Sequence, residues 1–130
     1  MKTIRQTAVI KGATPGDVYD TLMDSKKHGA LSGQKTTVSR RAGGTFKVGH
    51  DLEGKHLRLT KDKRIVQSWR ANNWPKGKYS RATFALAKSA GGTKITFTQT
   101  GVPDEFYREI AGGWKAYYWT PLKKKFAKAR

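Results

Sequence analysis

The chain has no cysteine. That excludes disulfides, thiolate metal sites and thiol nucleophiles together. Acid is scarce as well: nine Asp and Glu stand against 27 Lys and Arg, for a formal net charge of +18. The acids are scattered, and none forms the apolar-embedded pair that acid–base catalysis needs. Histidine is limited to His28, His50 and His56. His50 and His56 flank a turn with no carboxylate cluster at metal-ligand spacing, so no metal site is expected and the histidines read as surface residues. No window approaches the ~20 apolar residues of a membrane span. The first residues lack the apolar core of a secretory signal, which with the missing cysteine favours a cytoplasmic location. Gly43-Gly44 and Gly91-Gly92 read as hairpin turns, not phosphate loops. With no catalytic constellation and no cofactor motif, the expectation is a non-enzymatic protein without cofactor or metal.

What is present begins with length: 130 residues suit one domain, 1–130, with a real core. Residues 3–11 alternate, with Ile4, Gln6, Ala8 and Ile10 on one face, as in a strand. Thr14 and Pro15 start a short helix with an N-cap hydroxyl and an N1 proline, and a second helical turn ends at Gly33. Six strand-like segments follow at 34–41, 45–50, 55–60, 64–72, 79–88 and 93–100. Short polar links, Glu53-Gly54 among them, join these as antiparallel hairpins. Pro103, Asp104 and Glu105 then open a long helix, weakened at Gly112-Gly113 and expected to kink or break at Pro121. The expected tail from Lys123 onward is a frayed basic end.

The densest aromatic stretch lies in that helix. Trp114, Tyr117, Tyr118 and Trp119 crowd into six residues of a polar chain. Phe106, Ile110, Trp114, Tyr117, Tyr118 and Leu122 share one side at helical spacing. Such a face must cover something, and a helix closing over a sheet is the direct reading. Trp119 falls roughly 140° from Trp114 on an ideal helix, either packed on a loop or exposed to a partner.

Five segments in order carry a resemblance: Gly43–Phe46, Lys63–Arg70, Trp74–Gly77, Gly92–Pro103 and Gly113–Leu122. Together they closely resemble the C-terminal-type domain of the activator of heat-shock protein 90 ATPase, within the START-like helix-grip superfamily. The resemblance runs from about Thr3 to Phe126. It implies an α+β helix-grip fold, with a curved seven-stranded antiparallel sheet gripped by the long C-terminal helix and two short helices after strand 1. It also implies a binding module that takes a small apolar or amphipathic ligand, docks an acidic heat-shock protein 90 family chaperone, or does both.

Cavity candidates follow. Gln67 and Gln99 are polar but in phase with Ile65, Trp69, Ile95 and Phe97. They either orient a ligand or bond within the core. Trp69, Phe84, Phe97, Trp114 and Tyr117 either wall an apolar pocket or fill it. Trp119, Lys123, Lys124 and Lys125 are candidates for a partner surface. Arg40, Arg41, Lys35, Lys55, Arg58, Arg81, Lys88 and Lys94 lie on or between strands and are candidates for a basic outer sheet face. Their aromatic neighbours are out of phase with them, so non-specific anion attraction is expected rather than a dedicated nucleic-acid site. A nucleic-acid-associated basic protein and a START-like small-molecule enzyme are the alternative functions.

Overall fold

The first helix shows how local chemistry sets an element. In a computed structural model that describes residues 1–127, Thr14 Oγ1 accepts from the Asp17 amide at 3.0 Å and the Asp17 carboxylate accepts from the Thr14 amide at 2.9 Å. This reciprocal capping box, with Pro15 behind it, begins α1, Pro15–Met23. Asp24 caps α2, Ser25–Ser32, which ends at Gly33 with φ 77°, a left-handed conformation that suits glycine.

Seven strands form one antiparallel sheet: β1 Lys2–Lys11, β2 Thr36–Val38, β3 Thr45–Val48, β4 Leu52–Thr60, β5 Arg64–Ala71, β6 Ser80–Ser89 and β7 Gly92–Val102. The order is β1-β7-β6-β5-β4-β3-β2, a meander whose first strand returns beside its last. A short 3-10 turn, Asp104–Phe106, leads into α3, Tyr107–Trp114. A π turn, Lys115–Trp119, joins α3 to α4, Thr120–Ala127. The curved sheet and the helix lying across it are the expected helix-grip fold.

The register separates two faces. Ile4, Ala8 and Ile10 of β1, Ile95 and Phe97 of β7, Phe84 and Leu86 of β6 and Ile65 and Trp69 of β5 are buried beneath the helices. The opposite face is wet, as in an antiparallel sheet covered on one side.

Several boundaries differ from the sequence reading. β2 spans three residues only, far short of 34–41. Glu53-Gly54 makes no turn: Gly54 lies within β4, between Phe46 and Trp69 in the register. A Cβ there would come within 1.8 Å of the Ser68 carbonyl oxygen and 2.7 Å of the Phe46 ring. Glycine in this strand answers a close approach, not a reversal. The turn falls earlier, where the Asp51 amide donates to the Val48 carbonyl. The helix also runs through Pro121 as far as Ala127 instead of breaking, so Lys123–Lys125 are helical and exposed rather than frayed. Residues 128–130 of the expected tail lie outside the described residues.

Candidate ligand cavity and basic outer face

The helix is tied to the sheet by a line of polar bonds inside the core. The Trp114 indole Nε1 donates to Gln99 Oε1 at 2.8 Å. Gln99 Nε2 donates to Ser80 Oγ at 2.9 Å, and Ser80 Oγ donates to the Trp69 carbonyl at 2.9 Å. Each of these three donor groups has an acceptor, so the buried Gln99 amide is bonded without a ligand. Gln99 is therefore a core clamp. Gln67 is buried on the same face but takes no part in this line.

Around the clamp the aromatics stack closely. Trp114 lies 4.3 Å from Phe97, 4.7 Å from Tyr118, 5.5 Å from Phe84 and 5.6 Å from Trp69, between ring centroids. Trp119 joins them, 5.8 Å from Trp114 with the planes 20° apart. This corrects its assignment to a partner surface. The π turn adds a residue to the helical period, so side chains five apart return to one face where an ideal α-helix would part them. The Trp119 Nε1 donates to Gln6 Oε1 at 2.7 Å, and Gln6 Nε2 donates to the Ala111 carbonyl at 2.9 Å. Gln6 thus serves the helix where its α-ladder gives way to the π turn. Its alternation with Ile4 and Ala8 was the only signal of that role in the sequence.

The same turn moves Tyr117 outward, to 59% exposure. Tyr117 is not a core wall; it stands at the mouth of a cavity of about 320 Å³. Trp69 and Trp114 form its inner wall, with Tyr118, Ile110, Val48, Leu52 and Ala71 around them. Short side chains at Val48 and Ala71 leave room at this end of the sheet, while Trp119, Phe97 and Phe84 fill the other. Of the residues expected to line a cavity, Trp69, Trp114 and Tyr117 do so. Phe84, Phe97, Gln67 and Gln99 lie in the core away from the lining. The rim carries Ser32, Gln34, Asp51, Asn72, Asn73 and Glu109, none of which the residue pattern singled out.

Two histidines read as surface residues are buried. His28 Nδ1 lies 2.9 Å from the Leu22 carbonyl, which can only accept, so Nδ1 carries the proton. The neutral ring's Nε2 then accepts from the Tyr118 hydroxyl at 2.9 Å. This bond joins α2 to the C-terminal helix. Burial pushes the His28 pKa below its ordinary value and pushes the Tyr118 phenol strongly upward. His56 is fully buried, stacks on Phe46 at 5.7 Å, and its pKa is likewise lowered by burial. Both were missed because a histidine in a short polar segment gives no periodic signal of its own. His50 is exposed, as expected. Among the described residues no three His, Cys, Asp or Glu side chains gather as a metal site.

The outer face is basic and rich in threonine. One register row sets Arg5, Thr98, Thr83, Val66 and Arg58 side by side; the next sets Thr7, Thr96, Ala85 and Arg64. Arg81 and Lys55 flank Ser68, and Lys94 lies beside Val9. On a further row Glu53 lies between Lys47 and Arg70, 3.5 Å from the Arg70 guanidinium. Four expected members lie off these rows: Lys35 and Arg41 fall outside the strands. Lys88 is in register with buried Thr93 on the helix side, and Arg40 bonds Asp20 at 3.0 Å near α1.

Comparison with known proteins agrees with the fold. A family model described as "Activator of Hsp90 ATPase homolog 1-like protein" matches residues 12–127. An uncharacterized protein of Schizosaccharomyces pombe is 31% identical over 115 residues, covering 88% of this chain and 34% of its own. An activator of 90 kDa heat shock protein ATPase homolog from Dictyostelium discoideum is 29% identical, over 88% of this chain and 30% of its own. The chain thus spans about a third of the length of these curated relatives. Among solved structures, an HSP90 activator from Plasmodium falciparum superposes with a TM-score of 0.87 at 20% identity, covering 98% of this chain and 97% of that one.

Proposed function

Since the chain belongs to the Activator of Hsp90 ATPase homolog 1-like family, we propose that it is a non-enzymatic binding module that docks a chaperone of the heat-shock protein 90 family through its basic outer face. The helix–sheet cavity serves the same module as a site for a small apolar or amphipathic molecule. The Dictyostelium relative, an activator of 90 kDa heat shock protein ATPase homolog, supports the partner. The observation that carries the reading is the basic character of the outer sheet face. Arg5, Arg58, Arg64, Arg81, Lys55 and Lys94 share one face, in a chain of net charge +18. A face of this kind steers an acidic protein into contact and raises the association rate more than the final affinity.

Salt separates this from binding to nucleic acid. Phosphate-driven binding falls steeply as salt rises, because counterion release dominates it. Titration of the protein with a heat-shock protein 90 family chaperone, and separately with random-sequence DNA, at low and at physiological salt tests the point. The chaperone complex should weaken but persist at physiological salt, while the DNA complex is lost. DNA held at both salts and the chaperone at neither would replace the co-chaperone reading with that of a basic nucleic-acid-associated protein.

A further inference from the structure

We propose that the cavity is selective for organic cations: an amphipathic monocation with an apolar body and an ammonium head set at the rim. The inference rests on the reading of this cavity as a ligand site and adds the sign of the charge it accepts. The lining itself supplies the argument. Lys and Arg make up 27 of 130 residues, yet none of the fifteen lining residues is basic. Two of the chain's nine acids, Asp51 and Glu109, are among them. The lining thus carries acid without base in a chain of net charge +18.

Position sharpens the point. Asp51 closes the β3–β4 turn and Glu109 sits on α3, so the carboxylates reach the rim from an end of the sheet and from the helix. Asp51 Oδ2 accepts from Gln34 Nε2 at 2.9 Å. Among the described residues neither carboxylate meets a Lys or Arg at ion-pair distance. Behind them Trp69, Trp114, Tyr117 and Tyr118 present aromatic rings to the cavity. Aromatic faces attract a cation and favour an apolar body equally well. An anion would find no basic side chain in the lining. A neutral molecule would use the walls and could donate a hydrogen bond to a carboxylate, but without the added attraction of a charge. The +18 of the whole protein does not reverse this, because at ~0.15 M salt exposed charges beyond ~8 Å are largely screened and the local carboxylates decide. The volume of about 320 Å³ fits a small ligand, at the lower end of the ~300–1,000 Å³ usual for such sites.

Three probes of one shape test the proposal: phenylbutylammonium, phenylbutanol and phenylbutanoate. Binding is followed by NMR at the indole N–H resonances of Trp69 and Trp114, near neutral pH and physiological salt. The cation should bind roughly tenfold more tightly than the anion, with the alcohol between them. Glu109→Gln, at an exposed site that leaves the fold untouched, should weaken the cation roughly threefold to tenfold and leave the alcohol unchanged. If all three probes bind alike, or Glu109→Gln leaves the cation's affinity unchanged, cation selectivity is wrong while the cavity stands as a ligand site. If no probe shifts Trp69 or Trp114, the cavity reading fails and this proposal fails with it.

Discussion

Gln67 and Gln99 looked equivalent in the sequence, and their surroundings make them unlike. Gln99 satisfies both the Trp114 indole and the Ser80 hydroxyl, whereas Gln67 stands outside that line. Gln99→Leu would leave a buried indole N–H without an acceptor, a loss that costs about 1–3 kcal/mol. Gln67→Leu should change stability by less than about 1 kcal/mol, since no bonded partner is stranded. Chemical denaturation of both variants checks the contrast, and equal losses would contradict the clamp. His28 gives a pH signature. Its pKa is lowered in the fold, so below the ordinary value of 6.5 the unfolded chain binds a proton that the folded chain refuses. Stability should be complete above that value and fall as pH drops below it toward the folded pKa. His56 adds in the same direction. His28→Gln keeps a donor and an acceptor but cannot titrate, so it should flatten part of the fall in unfolding free energy between about pH 7 and pH 5. Asp20, held low by its bond to Lys27, acts only in more acid solution, below its ordinary 3.8.

The π turn is the element on which the core depends. It brings Trp119 onto the side of Trp114 and turns Tyr117 out to the rim. Trp119→Ala removes the ring that the turn buries against Trp114 and Gln6. The expected cost is that of a large aromatic truncated in a core, about 3–5 kcal/mol. Urea unfolding measures the loss, and a variant as stable as wild type would show that the turn does not seat Trp119 in the core. This element also marks where the sequence ceased to be legible. Thr14, Pro15 and Asp17 announced α1 because capping is local chemistry. The hairpins were visible because turn residues and alternation are local too. The π turn was not, since 100° per residue assumes the regular helix that the turn interrupts. Gly54 misled for a related reason: glycine signals both turns and close approach, and only the Phe46 ring and the Ser68 carbonyl, brought there by pairing with β3 and β5, tell which. The cavity rim was hidden for the same reason, because Gln34, Asp51, Asn72 and Glu109 meet only once β3, β4, β5 and α3 are assembled.

At the scale of the whole molecule, one covered face holds the core and the cavity, and one open face carries arginine, lysine and threonine. The two are independent surfaces, so charge on the outer face can change without disturbing the clamp or the π turn. Residues more than ~7–10 Å apart with no shared partners contribute separately to stability. This division makes the central claim open to direct test. The measurement is calorimetric titration of a heat-shock protein 90 family chaperone with wild type and with an Arg64→Glu/Arg81→Glu variant, at physiological salt. The account predicts that the variant folds with wild-type stability, to within about 1 kcal/mol, and loses at least roughly tenfold in affinity. A variant that binds the chaperone as tightly as wild type would show that the basic outer face is not the docking surface.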